Sequence, residues 1–524
     1  MSAGLVNLHT PETPWAYREE SIVVGKDILE VLSSAMYVEP LAIYREYIQN
    51  AADAIDDARR NGVLAPQEPG SVEIDIDLDK RTVTIRDNGT GIPAAEFGSR
   101  MTSFGASAKR GTTARGFRGV GRLSGLAYCQ ELIFRSRAAG ESEGSELKWD
   151  CRKAKTLLRS ADFSGDLAAV VAQSIQSRKI KSKDGPEHFF EVELRGVPRY
   201  RNDWLLNPGM IEDYLSQVAP LPFAPQFKYA DEIAAMLEKQ VGLTNIGLRI
   251  ARNSDSSFRP HRDSFDVSGG SDTFQGLQPI QIPGSDGGTA AIGWVLHHGY
   301  KGAVQNPNLK GLRLRSGNIQ VGGNDILEDL FPEVRFNSWC IGEIHVIDQR
   351  IIPNGRRDHY EQNAHYTNLV NHLTPIARDI STRCRQSSIR RNWLRQVERQ
   401  QDQVRRDLEI VKQGSLSAPE RKLIATQIQQ TLDSMEKALA KEVLKVDAPV
   451  VLPKLAKLRR EFEKVRSTNY RAKALAGIVS TIQRNAYEQA FALVYECSTD
   501  KSHAKLLVDK MLVHLSRLTK KKKS

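Results

Sequence analysis

The chain has 524 residues and a mass of 58.5 kDa, which is too long for one hydrophobic core, so we expect two to four domains. Hydrophobic residues make up 40% and charged residues 26%, as in globular proteins, and without a run of eighteen apolar residues we expect no membrane span. Five scattered cysteines without a CxxC pair argue against a disulfide framework or a zinc module. The scattered cysteines, together with an N-terminus that shows no secretory pattern, favour a cytoplasmic location.

The net charge of +11 is distributed unevenly along the chain. Residues 381–524 contain 31 Lys and Arg against 15 Asp and Glu, whereas the first 380 residues contain 43 against 48. The basic excess therefore belongs to the last quarter of the chain. Such a segment can bind nucleic acid or an acidic protein, and charge alone does not separate the two.

The first part of the chain reads as mixed helix and strand. Apolar residues at helical spacing predict a helix over 22–61. Strands are predicted by alternation or by apolar content at 71–78, 82–88, 131–137 and 188–195. Six glycines between 98 and 121 predict a mobile or tightly turning segment.

The rest of the chain divides into an α/β part and a helical part. Residues 197–370 contain a predicted helix at 210–219 and strand-like runs at 293–300, 311–321 and 339–348. Residues 371–524 predict helices at 389–412, 418–445, 453–468, 470–496 and 502–519. The heptad spacing of Val397, Val404 and Val411 predicts a helical hairpin or a dimerising coiled coil.

One face of the predicted first helix carries a set of polar residues. Glu46, Gln49, Asn50 and Asp53 follow one another at positions i, i+3, i+4 and i+7. A carboxylate can activate a water, and an amide oxygen one turn away can bind a hard cation such as Mg²⁺. A solvated helix face is the alternative for this pattern.

Two glycine-containing motifs follow this helix. In IRDNGTGIP, Asp87 ends a strand and Gly89 and Gly91 allow the backbone to approach a ligand, although the same residues suit an ordinary turn. In GFRGVGRLSG, glycines precede a predicted helix and can surround phosphate groups. The chain contains neither GxxxxGK[ST] nor a strand that leads directly into these glycines, which excludes a P-loop and a dinucleotide-binding fingerprint.

The order of the three motifs resembles the GHKL ATPase superfamily, which unites gyrase B, HtpG-type heat-shock chaperones, histidine kinases and MutL. The resemblance implies an ATP and Mg²⁺ site in which Glu46 is the general base, Asn50 binds Mg²⁺ and Asp87 binds the adenine amine. It implies further nucleotide-binding residues in the base pocket, in an ATP lid over 100–118 and beside the phosphates. These are Asp53, Gly89, Gly91, Ser107, Lys109, Gly116, Gly119, Val120, Gly121 and Ser136.

The segment IGEIHVIDQRIIPNGRRDHYEQN (341–363) is similar to the middle domain of HtpG-type chaperones. Asn354, Arg357, Asp358, Gln362 and Asn363 match that pattern. In the family the matching arginine reaches the γ-phosphate, so the resemblance implies that Arg357 has this role. Arg356 is the adjacent alternative, and Lys310 is the candidate if the chain instead resembles MutL or gyrase.

We therefore expect an α+β protein in three parts. These are an ATPase domain with an α/β sandwich of the Bergerat fold (1–196), an α/β middle domain similar to ribosomal protein S5 domain 2 (197–370) and a basic helical domain (371–524). The expected function is that of a heat-shock-90-like ATPase that closes as a clamp, as a homodimer with an unknown protein client. The alternatives are a MutL- or MORC-like ATPase that acts on nucleic acid, as in a prokaryotic defence system, and an interaction module whose ATP site has decayed.

Overall fold

The structure of the chain is a computed structural model. It describes residues 25–26, 39–103, 121–181, 186–199, 203–241, 245–250, 255–468, 475 and 479–521. Within these residues the chain forms two compact units, Met1–Ile380 and Ser381–Ser524. The predicted boundaries at 196/197 and 370/371 stay predictions.

The first unit contains a seven-stranded sheet with the strand order β5-β4-β3-β6-β2-β1-β7. Its strands are β1 (Ser71–Asp77), β2 (Thr82–Asp87), β3 (Glu131–Arg137), β4 (Gly144–Asp150), β5 (Ile175–Ile180), β6 (Phe189–Arg195) and β7 (Gly247–Ile250). Neighbouring strands are antiparallel except β1 and β7, which are parallel. Residues beyond 196 therefore contribute a strand to this sheet.

Helices and one 3₁₀ segment accompany the sheet and share its apolar core. They are α1 (Ala42–Arg60), α2 (Ala94–Thr102), the 3₁₀ segment Gly121–Ala127, α3 (Cys151–Arg159), α4 (Leu167–Ser174), the 3₁₀ turn Trp204–Leu206 and α5 (Pro208–Val218). Asp150, Asp166 and Asn207 cap the N-termini of α3, α4 and α5 by accepting a backbone N–H bond. The core includes Trp149 and Phe134, both fully buried.

One row of residues across this sheet alternates in charge. The Cα partners run Arg178, Glu146, Arg135, Glu191, Arg86, Glu73, Arg249 from β5 to β7. Arg135 bonds both Glu146 and Glu191 at 2.6 Å, and Arg86 bonds Glu191 at 2.5 Å. Opposite charges on directly paired residues stabilise a sheet, so this row ties seven strands together on the face away from the apolar core.

The second sheet of the first unit has the order β12-β11-β13-β10-β9-β8. Its strands are β8 (Ser264–Val267), β9 (Gly270–Pro283), β10 (Thr289–His298), β11 (Gly311–Ser316), β12 (Ile319–Val321) and β13 (Ile341–Val346). α6 (Ala230–Val241) packs against β10, and the 3₁₀ turns Glu328–Leu330 and Val334–Trp339 precede β13. Trp294 is fully buried in the core beneath this sheet.

A buried polar cluster lies on this second sheet. Glu343 pairs with Arg259 at 2.5 Å and with Arg315 at 2.8 Å, and all three side chains are at most 2% exposed. Arg315 also donates to the carbonyl oxygens of Gln217 and Ala219 at the end of α5. A cation beside the last carbonyl groups of a helix is stabilising. Because Arg315 binds both these carbonyl groups and Glu343, the cluster fixes α5, and with it the first sheet, to the second sheet.

The second unit is helical. Its helices are the last part of α7 (Ala364–Gln413), α8 (Ala418–Leu439), the 3₁₀ turn Glu442–Leu444, α9 (Ala448–Ser467), α10 (Thr481–Cys497) and α11 (Lys501–Lys521). Val397, Val404 and Val411 are buried in a core shared with α8 and α9. The heptad positions thus pack inside this unit. Arg390 forms a two-pronged ion pair with Asp447, both bonds at 2.7 Å.

Most predicted elements occur close to their predicted bounds, and the mixed α and β content confirms the predicted fold class. The largest difference is α7, which begins 25 residues before the predicted helix at 389. α9 also begins at Ala448 instead of 453, because Pro449 occupies the first turn, where a missing N–H costs nothing. None of the described helices is both long and apolar enough to cross a membrane.

Candidate active site

The predicted polar residues of helix α1 lie next to its apolar side, which packs into the core of the first sheet. Tyr44, Ile48 and Ile55 are fully buried on its apolar side. Glu46 and Asp53 are also buried, at 7% and 3% exposure, and Asn50 is half-buried. Burial of two carboxylates on one helix requires partners for their charge, and for Glu46 those partners are visible.

Two guanidinium groups hold one oxygen of Glu46. Arg45 Nη2 and Arg357 Nε each lie 3.5 Å from Glu46 Oε1, and all three side chains are 9% exposed. The other oxygen, Oε2, lies 2.4 Å from the position that a Cβ on Gly121 would occupy. The carboxylate is therefore oriented, with arginines at one oxygen and a glycine backbone at the other.

A bridged loop of the second sheet places Arg357 at this point. Pro353 and Tyr360 form an isolated β-bridge, and Arg357 N–H donates to the carbonyl of Asn354 at 3.1 Å. Arg357 has a φ of +57°, in the left-handed region that residues with a Cβ rarely adopt. The carbonyl of Arg356 accepts a bond from Arg45 Nη2 at 3.0 Å, so two consecutive residues of this loop contact α1.

The 3₁₀ segment Gly121–Ala127 is fastened to α1 by a tyrosine. The hydroxyl of Tyr47 accepts from Gly125 N at 3.1 Å and donates to the carbonyl of Arg122 at 3.2 Å. Burial raises the pKa of Tyr47, which keeps its hydroxyl protonated and able to donate. The backbone beside Glu46 is thereby fixed in position.

The loop after β2 contacts α1. Asp87 is 5% exposed and accepts a bond from Gly89 N at 2.9 Å. Thr90 N donates to the carbonyl of Ala54 on α1 at 3.2 Å. A Cβ on Gly89 would lie 2.6 Å from the Cβ of Ala54, so only glycine permits this close approach.

Ser136 and Gly91 join the same loop to β3. Ser136 Oγ accepts from Ile92 N at 2.7 Å and donates to the carbonyl of Phe189 at 3.0 Å. Gly91 has a φ of +66°, and a Cβ there would lie 2.0 Å from the carbonyl oxygen of Arg137. Both residues shape the loop that carries Asp87.

The structure thus brings Glu46, Gly121 and Arg357 together, with Asn50 and Asp53 on the same helix face, and groups Asp87, Gly89, Gly91 and Ser136 around one loop. The predicted residues Ser107, Lys109, Gly116, Gly119 and Val120 lie outside the described residues. Lys310 is bonded to neither Glu46 nor Arg45 by a side-chain hydrogen bond or an ion pair in the part of the chain that the structure describes.

Sequence reasoning missed several residues around the site. Arg45 stands directly before Glu46, and its basic side chain was the one available signal. His188 bonds the carbonyl of Gly89 through Nδ1 at 2.7 Å, and no motif includes it. Gln49 shares the predicted polar face but was given no role; it is 1% exposed.

Comparison with known proteins identifies a family for part of the chain. A family model described as "Histidine kinase-, DNA gyrase B-, and HSP90-like ATPase" matches residues 41–179, which include α1, the Asp87 loop and the segment from Gly121. This match confirms the superfamily that the motif order indicates.

Several curated relatives match part of the chain. The chaperone protein HtpG of Coxiella burnetii is 30% identical over 207 residues, which cover 35% of this chain and 31% of the relative. HtpG of Streptomyces coelicolor is 30% identical over 149 residues, covering 25% and 23%. HtpG of Escherichia coli O1:K1 is 30% identical over 142 residues, covering 24% and 23%. The chain therefore matches about a third or less of the length of these relatives.

Proposed function

We propose that this chain, which belongs through residues 41–179 to the histidine kinase-, DNA gyrase B- and HSP90-like ATPase family, binds ATP and hydrolyses it to ADP and phosphate. One observation carries the proposal. The carboxylate of Glu46 meets the guanidinium of Arg357 from the second sheet at 3.5 Å. A general base and a cation for phosphate are thus brought together from two parts of the fold.

Each of these residues has a chemical task in this proposal. Glu46 accepts a proton from the attacking water, and its fixed orientation favours that transfer. Arg357 is always charged and offers five N–H donors. It can therefore keep its contact with Glu46 and still donate to phosphate oxygens, where negative charge develops in the transition state. Arg45 fixes both Glu46 and the loop that carries Arg357.

The surrounding residues fit a bound ATP and Mg²⁺. Asp87 would bind the adenine amine, in a loop shaped by Gly89, Gly91 and Ser136, and Gly121 would lie near the phosphates. Asn50 would offer its amide oxygen to Mg²⁺, and the phosphates would supply further ligands, as is common for this ion.

At the level of the whole protein we propose a heat-shock-90-like clamp. In this proposal a lid over 100–118, with Ser107 and Lys109, covers the nucleotide, and Gly116, Gly119 and Val120 lie against the phosphates. Closure dimerises the ATPase domains (1–196) of two copies in the cytoplasm around a protein client, or moves the basic helical domain. The support comes from the HtpG relatives and from the loop 353–360, which contacts α1 directly.

Replacing Glu46 by Ala tests the central claim. We expect ATP binding to persist and phosphate release to fall to background, because the variant lacks the base but keeps the nucleotide contacts. Glu238→Ala, on an exposed position of α6, is the matched control and should hydrolyse ATP at the parental rate. Undiminished turnover by Glu46→Ala would refute the assignment.

Because residues 381–524 carry an excess of Lys and Arg, we also consider a second candidate function, an ATPase that acts on nucleic acid. Titration of the protein with duplex DNA at several salt concentrations separates the two candidates. A steep linear fall of log K with log salt supports phosphate contacts by this segment. Absence of binding at 50 mM salt supports the chaperone-like candidate.

A further inference from the structure

The peptide group between Gly89 and Thr90, in the loop that carries Asp87, is hydrogen-bonded at both of its ends. Its carbonyl oxygen lies 2.7 Å from Nδ1 of His188, and its N–H donates to the carbonyl of Ala54 on α1 at 3.2 Å. Because a carbonyl oxygen can only accept, the Nδ1 atom of His188 carries the proton and donates. Hydrogen bonds in such a chain strengthen one another, so His188 and α1 together hold this peptide in place.

The other backbone group of Gly89 binds the carboxylate of Asp87. Gly89 N–H donates to Asp87 Oδ1 at 2.9 Å, and the whole of Asp87 is only 5% exposed. A Cβ on Gly89 would lie 2.8 Å from the same carboxylate oxygen and 2.6 Å from the Cβ of Ala54. The carboxylate, the glycine and α1 are therefore in close contact, and a displacement of Gly89 would change the orientation of the carboxylate.

Two residues at the end of β3 fix the segment that carries His188. Arg137 Nε donates to the carbonyl of Glu187 at 2.9 Å, and Ser136 Oγ donates to the carbonyl of Phe189 at 3.0 Å. Both neighbours of His188 in the chain are thus bonded to β3, and His188 itself is half-buried. Its ring is therefore presented to the loop by a segment that is anchored on both sides.

We propose that His188 is a positioning residue of the nucleobase site. Its Nδ1–H holds the carbonyl of Gly89, which keeps the N–H of the same glycine bonded to Asp87 and the carboxylate oriented towards the amine of adenine. The inference rests on the proposed function, in which Asp87 binds that amine. It assigns to His188 an effect on the affinity for an adenine nucleotide and none on the chemical step at Glu46.

A role that acts through Asp87 has a specific consequence for the choice of base. Hypoxanthine carries an oxygen where adenine carries its amine, so IDP presents an acceptor to the carboxylate of Asp87 instead of a donor. The parental protein should therefore bind ADP at least about tenfold more tightly than IDP. Because IDP never makes the bond to Asp87, a loss of His188 should weaken the binding of ADP and leave that of IDP unchanged.

Two variants of His188 test this proposal, namely His188→Ala, which removes the donor, and His188→Asn, whose amide N–H takes a position close to that of Nδ1. We expect His188→Ala to raise the Kd of ADP about five- to tenfold, as for one lost hydrogen bond, with kcat at saturating ATP unchanged. His188→Asn should restore most of the preference for ADP over IDP. Isothermal titration calorimetry of the full chain with ADP and with IDP, in the presence of Mg²⁺, measures the constants. His503→Ala, at an exposed position of α11, is the matched control and should bind both nucleotides as the parental protein does.

A histidine that only stabilises the loop predicts a different result. His188→Ala would then lower the thermal unfolding midpoint while the preference for ADP over IDP stays parental, or would weaken both nucleotides by the same factor. Either result would overturn the inference, and so would a preference that His188→Asn fails to restore. If His188→Ala does not fold, His188→Gln takes its place with the same expectation, because its amide mimics Nε2 and not Nδ1. Parental protein that binds neither nucleotide, or binds both equally, would instead refute the proposed nucleotide site, so the two failures are distinguishable.

Discussion

Arg357 and Glu46 are separated by 311 positions in the sequence, and their side chains lie 3.5 Å apart in the fold. The contact depends on a chain of supports. The bridged loop at Pro353 and Tyr360 fixes Arg357, and the cluster around Glu343 fixes the second sheet to α5. A site built this way is sensitive to changes in both sheets.

The first prediction concerns the side chain that reaches Glu46. Arg357→Ala should lower kcat by roughly 10²- to 10³-fold, the range for losing one preorganised donor to a developing charge. Arg356→Ala is the matched control, because Arg356 is exposed and contacts Arg45 through its backbone carbonyl only. Steady-state phosphate release measures both. If Arg356→Ala is the more damaging variant, the roles of the two arginines are exchanged.

The second prediction concerns the closest backbone to the carboxylate. Gly121→Ala places a methyl group 2.4 Å from the present position of Glu46 Oε2, so Glu46 must move away from its arginine-bound orientation. We expect hydrolysis to fall at least tenfold while the protein stays folded. Gly98→Ala serves as the control, since nothing lies within 4 Å of its added Cβ and alanine is favoured within a helix. Equal activity of the two variants would contradict the prediction.

The sequence predicted the local parts of this site better than their assembly. α1, β1, β2 and the Asp87 loop follow from periodicity and glycine placement within short windows. The family resemblance implied only that Arg357 reaches the γ-phosphate, and its contact with Glu46 was not predicted, since no local pattern encodes a pairing over 311 positions. β7 illustrates the limit, because four residues, GLRI, carry little strand signal on their own. They form a strand through parallel pairing with β1, which is a tertiary effect.

The third prediction concerns the charged row across the first sheet. Glu191 contacts both Arg86 and Arg135, and its side chain is 4% exposed. Glu191→Gln should lower the free energy of unfolding by about 2 kcal/mol, because two guanidinium groups lose a buried carboxylate. Glu73→Gln is the control in the same row, where the side chain is 50% exposed and the loss should be within about 0.5 kcal/mol. Urea unfolding, followed at the transition of the first unit, measures the free energy of unfolding of both variants. Similar losses would show that the buried ion pairs of Glu191 stabilise the fold no more than exposed surface pairs do.

The fourth prediction concerns pH and the buried histidines of the second sheet. Burial is the main cause that lowers the pKa of His261 to about 3 and that of His345 to about 4. Neighbouring arginines lower both pKa values further, whereas the carboxylate of Glu343 raises them. In the unfolded chain both titrate near 6.5.

Below about pH 6.5 the unfolded state binds more protons than the folded state. The free energy of unfolding therefore falls as the pH decreases from about 6.5 towards the pKa values of the folded state. At pH 5 each histidine should remove on the order of 2 kcal/mol relative to pH 7, from about 1.4 kcal/mol per pKa unit. Unfolding midpoints at pH 7 and pH 5 measure the loss. His345→Gln should flatten this dependence and His503→Gln, at an exposed position of α11, should not. An unchanged slope in His345→Gln would mean that other groups set the acid sensitivity of the fold.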